Sequence, residues 1–482
     1  MNGHKIKWWI LVNVCIGTFM ANLDSSSSSV ALPTISEAFG VSVSVVQWVV
    51  TGYLLTICAL LPMAGKLADQ WGLGRLYYIG FFVFALGSAF SAMSVSISML
   101  IAAKVFQGIG SALMMANAQG IIAVTFGPAE RGRAMGITGI SVSLGALSGP
   151  ALGGFLIEHF HWSAIFWINV PIGLIGFATG LRIFPKERPK GAKGPFDLAG
   201  LALFAVGVTI LLYSVSSAET TGWFNWPIMG GIAGALAVLW IFYRHEKRLA
   251  DPMIDFSLYR NRRFSMAIAA GGLSMMALYF ITIMMPFYLQ HAIGAPPKVT
   301  GYVMAAYPAA MALSAPLSGW LSDRVGRYAL TIGGLLLNAF GFLVLSFLSA
   351  ETSFWLIAAN LALFGIGHGM FQPVNNADLL ESVPQSKVGQ AGGLNALTRN
   401  FGMMFGASLS VSIYAFRLQA LSGDTASAAG LPKEALLTAF RDVFWVAAAI
   451  CIIAAVFSSM RGKAKAEGDS GQTTRQVNRN IT

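Results

Sequence analysis

The chain has 482 residues, 56% of them hydrophobic and 11% charged, with a formal net charge of +11. A soluble protein of this length would carry roughly 25% charged residues, so most of the chain is expected in lipid, where charge is excluded. The basic excess is spread over alternate loops and a tail, a pattern that orients a membrane protein and argues against a nucleic-acid partner.

A helix needs about 20 apolar residues to cross a hydrocarbon core of roughly 30 Å. Fourteen runs qualify, at approximately 8–31, 46–66, 77–97, 99–125, 135–157, 163–184, 198–217, 226–244, 264–290, 299–320, 329–349, 353–375, 391–416 and 438–460. The expected fold class is an all-α polytopic membrane protein, multi-pass in the cell membrane. The first run is too long for a signal peptide and lacks a small-residue cleavage site, so no cleaved leader is expected. Arg131, Arg133, Arg182 to Lys193, Arg244 to Arg263 and Arg461 to Lys465 fall on one side. That bias puts both termini in the cytoplasm. Lys298, Arg417, Lys433 and Arg441 fall on the other side, and Lys104 and Arg399 lie within spans.

Span 1 contains LDSSSSSVALP, residues 23–33. At 1.5 Å per residue Asp24 lies roughly 24 Å from Trp8, about 6 Å short of the outer edge of the core. It is the only acid placed well inside a span. Intramembrane ionisable groups are costly and usually face a cavity or a partner. The partner is expected in span 4, where Lys104 lies roughly 9 Å deep on the same side. Lys104, Gln107, Gly108 and Ser111 share one helical face. Ser28 shares the face of Asp24. The other serines are expected to pack closely against neighbouring helices and to bond their own backbone.

The loop after span 2, Gly65-Lys-Leu-Ala-Asp69-Gln-Trp-Gly72-Leu-Gly-Arg75, repeats as Gly319-Trp-Leu-Ser-Asp323-Arg-Val-Gly326-Arg327. A loop repeated in corresponding places points to two homologous halves, as in secondary transporters. The expected units are a six-helix bundle at 1–184, two inserted helices with basic linkers at 185–263, a second six-helix bundle at 264–460, and a disordered tail at 461–482.

Span 5 carries Gly145, Gly149, Pro150, Gly153 and Gly154. Glycines at i, i+4 and i+8 make a smooth face for tight helix contact, and proline loosens the helix. This suits a helix that shifts against its partner in the other half. Span 9 is rich in Met275, Met276, Phe280, Met284 and Met285. Such stripes are more often bundle core than adaptable ligand surface. The second half offers Asn338, Asn360, Gln372, Asn375, Asn376, Asn395, Arg399 and Asn400, with Arg399 expected near a helix end, free to snorkel. A substrate cavity is expected from Asp24, Ser28, Gln107, Ser111, Met115, Met276, Phe280, Asn375 and Asn395.

Taken in order, these motifs resemble the major facilitator superfamily, and within it the fourteen-span drug:proton antiporters. The two repeated loops look like its signature loop. LDSSSSSVALP is similar to the subfamily's span 1 motif, KVFQGIGSA (104–112) to its span 4 motif, and the Gly145 to Gly154 stretch to its antiporter motif. WSAIFWINVPIG (162–173) and PMIDFSLYRNRRF (252–264) are also typical. The sequence departs from the pattern at Gln70, Leu73, Lys104 and Ser27 to Ser29.

The resemblance implies two six-helix halves plus two inserted helices. It implies proton-coupled export of small hydrophobic or cationic compounds, hence antibiotic resistance. Asp24 and Lys104 would handle the proton. The loop residues Gly65, Asp69, Gly72, Arg75, Gly319, Asp323, Gly326 and Arg327, with the span 5 glycines, would govern conformation. Protons and membrane lipid are the other expected partners, and the state is expected to be monomeric. No cofactor is expected, and no nucleotide is implied, because no GxxxxGK[ST] occurs. No metal is expected either, because three scattered cysteines give no ligand spacing. An enzyme is not expected. Two other readings stay open: a metabolite exporter or proton-coupled uptake transporter of the same fold, and, more remotely, a membrane-embedded sensor or enzyme.

Overall fold

The computed structural model describes residues 3–184, 197–221, 225–249, 252, 254, 256–349, 351–384, 387–422 and 433–461. Among them the secondary structure is all helical. The long helices are α1 (Gly3–Phe39), α3 (Trp48–Trp71), α4 (Leu73–Ala92), α5 (Ile97–Thr125), α6 (Pro128–His159) and α8 (Asn169–Ile183), with short α2 (Val43–Val46) and α7 (Ala164–Trp167) before α3 and α8. Then follow α9 (Leu198–Thr221), α10 (Trp226–Glu246), α11 (Arg262–Phe287), α12 (Pro297–Val325), α13 (Arg327–Leu345), α14 (Phe354–Glu381), α15 (Val388–Ser422) and α16 (Lys433–Ser459). Twelve helices among the described residues are long and apolar enough to cross a membrane. In addition, α9 has a shorter apolar stretch, Ala199–Val215, and the 29-residue α12 contains Pro308 and Pro316. The linker 185–196 and the tail from 462, expected to be disordered, lie outside the described residues.

Several helices outrun the expected spans. α1 continues through Pro33 to Phe39, which neighbouring helices make tolerable in a membrane. Asp24 therefore lies ~22 Å of helical rise from that end. α14 continues to Glu381, beyond the expected limit of 375, and so includes Asp378.

The repeated loops share one backbone. Gly72 ends α3 at φ 92, ψ 136, and Gly326 ends α12 at φ 95, ψ 141. Their N–H groups donate to Ala68 O at 2.8 Å and Ser322 O at 3.1 Å. Only glycine enters this region without strain.

Small residues set the helix contacts. A Cβ at Gly87 of α4 would collide with the Gln107 backbone of α5, and one at Gly110 of α5 with the Phe84 backbone of α4. On α6 the glycines divide between two faces. Gly145, Gly149 and Gly153 press on α1 at Phe19, Leu23, Ser26 and Ser27, within the first half of the chain. Gly154 presses instead on Pro297 and Lys298 of α12, and Gly301 of α12 presses on Pro150. The contact expected of the regular i, i+4, i+8 face with the other half is thus made by Pro150 and Gly154. Toward its N-terminus α6 loses this cover: among the described residues, a Cβ at Gly136 or Gly139 would meet nothing within 4 Å. Val124 of α5 and Leu313 of α12 are each 74% exposed.

Candidate functional site

Three helices gather around Asp24 of α1. α5 contributes Lys104 and Gln107 one turn apart, α4 contributes Ser88, and α8 contributes Asn169. Lys104 Nζ lies 2.7 Å from Asp24 Oδ2 and donates to Gln107 Oε1 at 2.5 Å. Gln107 Nε2 donates to Asp24 Oδ1 at 3.1 Å and to Ser88 Oγ at 2.7 Å. Asn169 Nδ2 donates to Asp24 Oδ1 at 2.9 Å. Asp24 is 0% and Lys104 1% exposed. The ammonium also lies 4.6 Å from the Tyr53 ring centroid and 5.3 Å from that of Phe166. Tyr53 donates its hydroxyl proton to Ser111 Oγ at 2.8 Å.

The physical consequence is a buried pair of opposite charges whose attraction is strengthened by poor screening. Each charge is stable there only because the other is present and the remaining polar atoms are bonded. Protonating the carboxylate would strand Lys104.

The serine run plays a different part from the one expected near Asp24. None of its hydroxyls bonds the carboxylate; Ser27 Oγ donates to the Asp24 main-chain oxygen at 3.3 Å. Ser26 Oγ donates to Asn22 O at 2.6 Å and Ser29 Oγ to Ser25 O at 3.1 Å, which removes their desolvation cost. Ser26 and Ser27 form the surface on which Gly149 and Gly153 rest. Ser28 is buried, with its hydroxyl unpaired among the described residues. Ser25 Oγ reaches across to Tyr279 of α11, 3.4 Å from its hydroxyl.

The other expected cavity residues are scattered. Met115 is exposed and lies against Asn400, whose Nδ2 is 3.9 Å from its sulfur. Asn375 donates to Ala267 O at 3.3 Å and Asn395 to Asn376 Oδ1 at 3.1 Å. Both asparagines sit opposite Gly271 of α11. Met276 is half-buried. Phe280 is fully enclosed in the core, as are Met284 and Met285.

Arg399 does not snorkel. It enters α15 by eleven residues, ~16 Å of rise, and turns toward α14. With the Gln372 amide oriented to satisfy both its atoms, Gln372 Oε1 accepts from Arg399 Nη1 and Nη2 at 3.2 and 2.7 Å, and Gln372 Nε2 donates to His368 Nε2 at 2.8 Å.

The sequence reading missed Asn169, Ser88, Tyr53, Phe166 and His368. It also missed Asp378, which ion-pairs with Arg263 and lies 3.5 Å from Arg461 Nη1. Burial pulls the Arg461 guanidinium down to about 10, against the pull of Asp378, so it remains charged near neutrality.

Of the loop residues, Arg75 lies over the Trp71 ring at 5.9 Å and Arg327 ion-pairs with Glu381 of α14. Among the described residues, a Cβ at Gly65 would meet nothing within 4 Å. Asp69, Gly319 and Asp323 lie outside the residues whose side chains are described.

The profile of the Major Facilitator Superfamily matches residues 14–198 and 267–478. The chain belongs to that superfamily. It is a multi-pass membrane transporter of small molecules and not an enzyme. This facilitator is 34% identical over 461 residues to the riboflavin transporter RibZ of Clostridioides difficile (strain 630), covering 94% of this chain and 97% of the relative. It is 30% identical to the tetracenomycin C resistance and export protein of Streptomyces glaucescens, covering 88% and 79%. Its fold matches the crystal structure of the peptide transporter POT in complex with sulfate, with TM-score 0.69, 15% identity, and 96% and 99% of the two chains covered.

Proposed function

We propose that this facilitator exchanges protons for hydrophobic or amphipathic small molecules and exports them, with Asp24 and Lys104 as the coupling pair. The observation that carries the reading is the fully enclosed ion pair at 2.7 Å. A proton reaching Asp24 removes one of two charges that are tolerable only together. The helices must then rearrange or hydrate Lys104, which ties protonation to conformation. An inward membrane potential supplies about 2.3 kcal/mol per charge per 100 mV for such work.

In this reading α9 and α12 bring the spans to fourteen, with both termini cytoplasmic. Two six-helix halves, 1–184 and 264–460, flank the inserted pair α9 and α10. The open surround of Gly136 and Gly139 and the close contact at Gly154 and Gly301 support an inward-open state, closed on the outer side. The glycine-ended loops and the Arg327–Glu381 pair belong to a cytoplasmic latch that forms and breaks between states.

A second reading is favoured by one observation. The similarity to RibZ runs nearly end to end in both chains, which supports a metabolite such as a flavin as the cargo of the same machine.

The test is a flux assay in energised everted vesicles with a pH-sensitive dye. Lipophilic cations, quinolones, tetracyclines, neutral antibiotics and riboflavin are added in turn. Drug-triggered proton release supports export by exchange, and release with riboflavin alone supports the second reading. No release with any compound, together with riboflavin uptake driven by a proton gradient, would contradict the export reading.

A further inference from the structure

Among the described residues, Arg399 is an intramembrane cation with no carboxylate within ion-pair distance, and its buried Nε has no hydrogen-bond partner. This contrasts with Lys104, whose charge is cancelled by Asp24. Arg399 is held rather than loose: Gln372 accepts from both terminal nitrogens and is itself fixed by His368. His368 stands 3.5 Å from Ser274 Oγ and 6.1 Å, centroid to centroid, from the Tyr307 ring. With Nε2 accepting from Gln372, its remaining proton sits on Nδ1, so the imidazole adds no negative charge. Among the described residues, the tyrosines Tyr307 and Tyr279 act electrostatically on Arg399, and Tyr279 contacts Ser25, the residue after Asp24.

Among the described residues, the bundle interior therefore carries at Arg399 a positive charge without a counter-ion, oriented by Gln372 and near two phenols. An arginine without a counter-ion in lipid is expensive. With Gln372 on the end-on face, the unpartnered Nε and the outer N–H of a terminal nitrogen form the side-on fork, which matches a planar, two-oxygen acceptor. We infer that Arg399, positioned by Gln372 and His368, is a binding site for an anionic acceptor, a carboxylate or its equivalent, on an aromatic or amphipathic molecule. This reverses the charge expected of the ligand, since Asp24, the acid that would attract a cation, is already occupied by three N–H donors. The proposal depends on the transport reading only in calling that molecule the cargo.

The test is equilibrium binding by calorimetry to the full-length protein in nanodiscs. Three probes share one body: biphenyl-4-carboxylate, biphenyl-4-carboxamide and 4-biphenylyl-trimethylammonium. The carboxylate is expected to bind about ten-fold or more tighter than the other two. Arg399→Gln should abolish that preference, and Arg399→Lys should keep its sign with reduced size. Because Arg399→Gln removes an uncompensated cation, it should melt no lower than the parent. Equal or tighter binding of the ammonium probe by the unmodified protein would overturn the proposal without any variant. So would an undiminished carboxylate preference in Arg399→Gln. Selective binding without proton-coupled flux in vesicles would leave this site standing and remove the proton-exchange reading.

Discussion

Asp24 on α1 and Lys104 on α5 meet at 2.7 Å with no more than 1% of either residue exposed. Eighty positions separate them in sequence, yet Gln107 and Asn169 also close around the same carboxylate. Such a pair contributes less to stability than its geometry suggests, and more to the cost of losing one partner.

Lys104→Met alone and Asp24→Leu alone are each expected to destabilise the protein by about 3–5 kcal/mol, because each strands a buried charge. The double variant should recover most of that loss, since two apolar groups replace two charges. Melting of the four proteins in one detergent checks this. A double variant as unstable as the sum of the singles would count against a coupled pair.

Asn169→Leu removes one N–H from Asp24 Oδ1 and is expected to cost about 1–3 kcal/mol. Ser88→Ala acts one bond further out, through Gln107, and is expected to cost less than half as much. The order of the two melting temperatures is the test.

The Gly154 contact offers a conformational test. Gly154→Ala collides with the Pro297 main chain only while α6 and α12 are in contact there. Strain of about 1–3 kcal/mol falls on this state, which would lower its share of the population about 5–150-fold. Labelling of Gly139→Cys by a water-soluble maleimide, in a Cys15→Ser background, should fall with it. Gly136→Ala, which meets no neighbour, should leave labelling unchanged.

Gly72→Ala and Gly326→Ala should each cost about 1–3 kcal/mol, since both glycines combine positive φ with ψ near 140. Asparagine should rescue neither, because it tolerates the left-handed helical region and not this one. Matching losses at both positions would show that the two loops are structural equivalents.

That equivalence was legible in the sequence because glycine spacing in a repeated loop reports backbone directly. The Asp24–Lys104 ion pair was legible too. Charges in apolar runs are conspicuous, and helical rise brought Asp24 and Lys104 to comparable depth. Neutral partners were not legible: Asn169 and Ser88 resemble many tolerated polar residues until the packing of α4 and α8 brings them to the carboxylate. Spacing also exposed the glycine face of α6 but not its neighbour, since periodicity fixes a face and leaves the partner open. Asp378 escaped because hydropathy ended its span at 375, whereas hydrogen bonding carries α14 to Glu381. Arg399 was placed by its distance from a helix end, and the orientation of α15 toward α14 overrode that.

The measurement closest to the central claim is proton-driven uptake into inverted proteoliposomes containing Asp24→Asn, alongside binding of the same compound. Accumulation driven by a pH gradient should be lost in Asp24→Asn while binding and downhill exchange persist. Full proton-driven accumulation by Asp24→Asn would contradict it and remove the carboxylate from the coupling step.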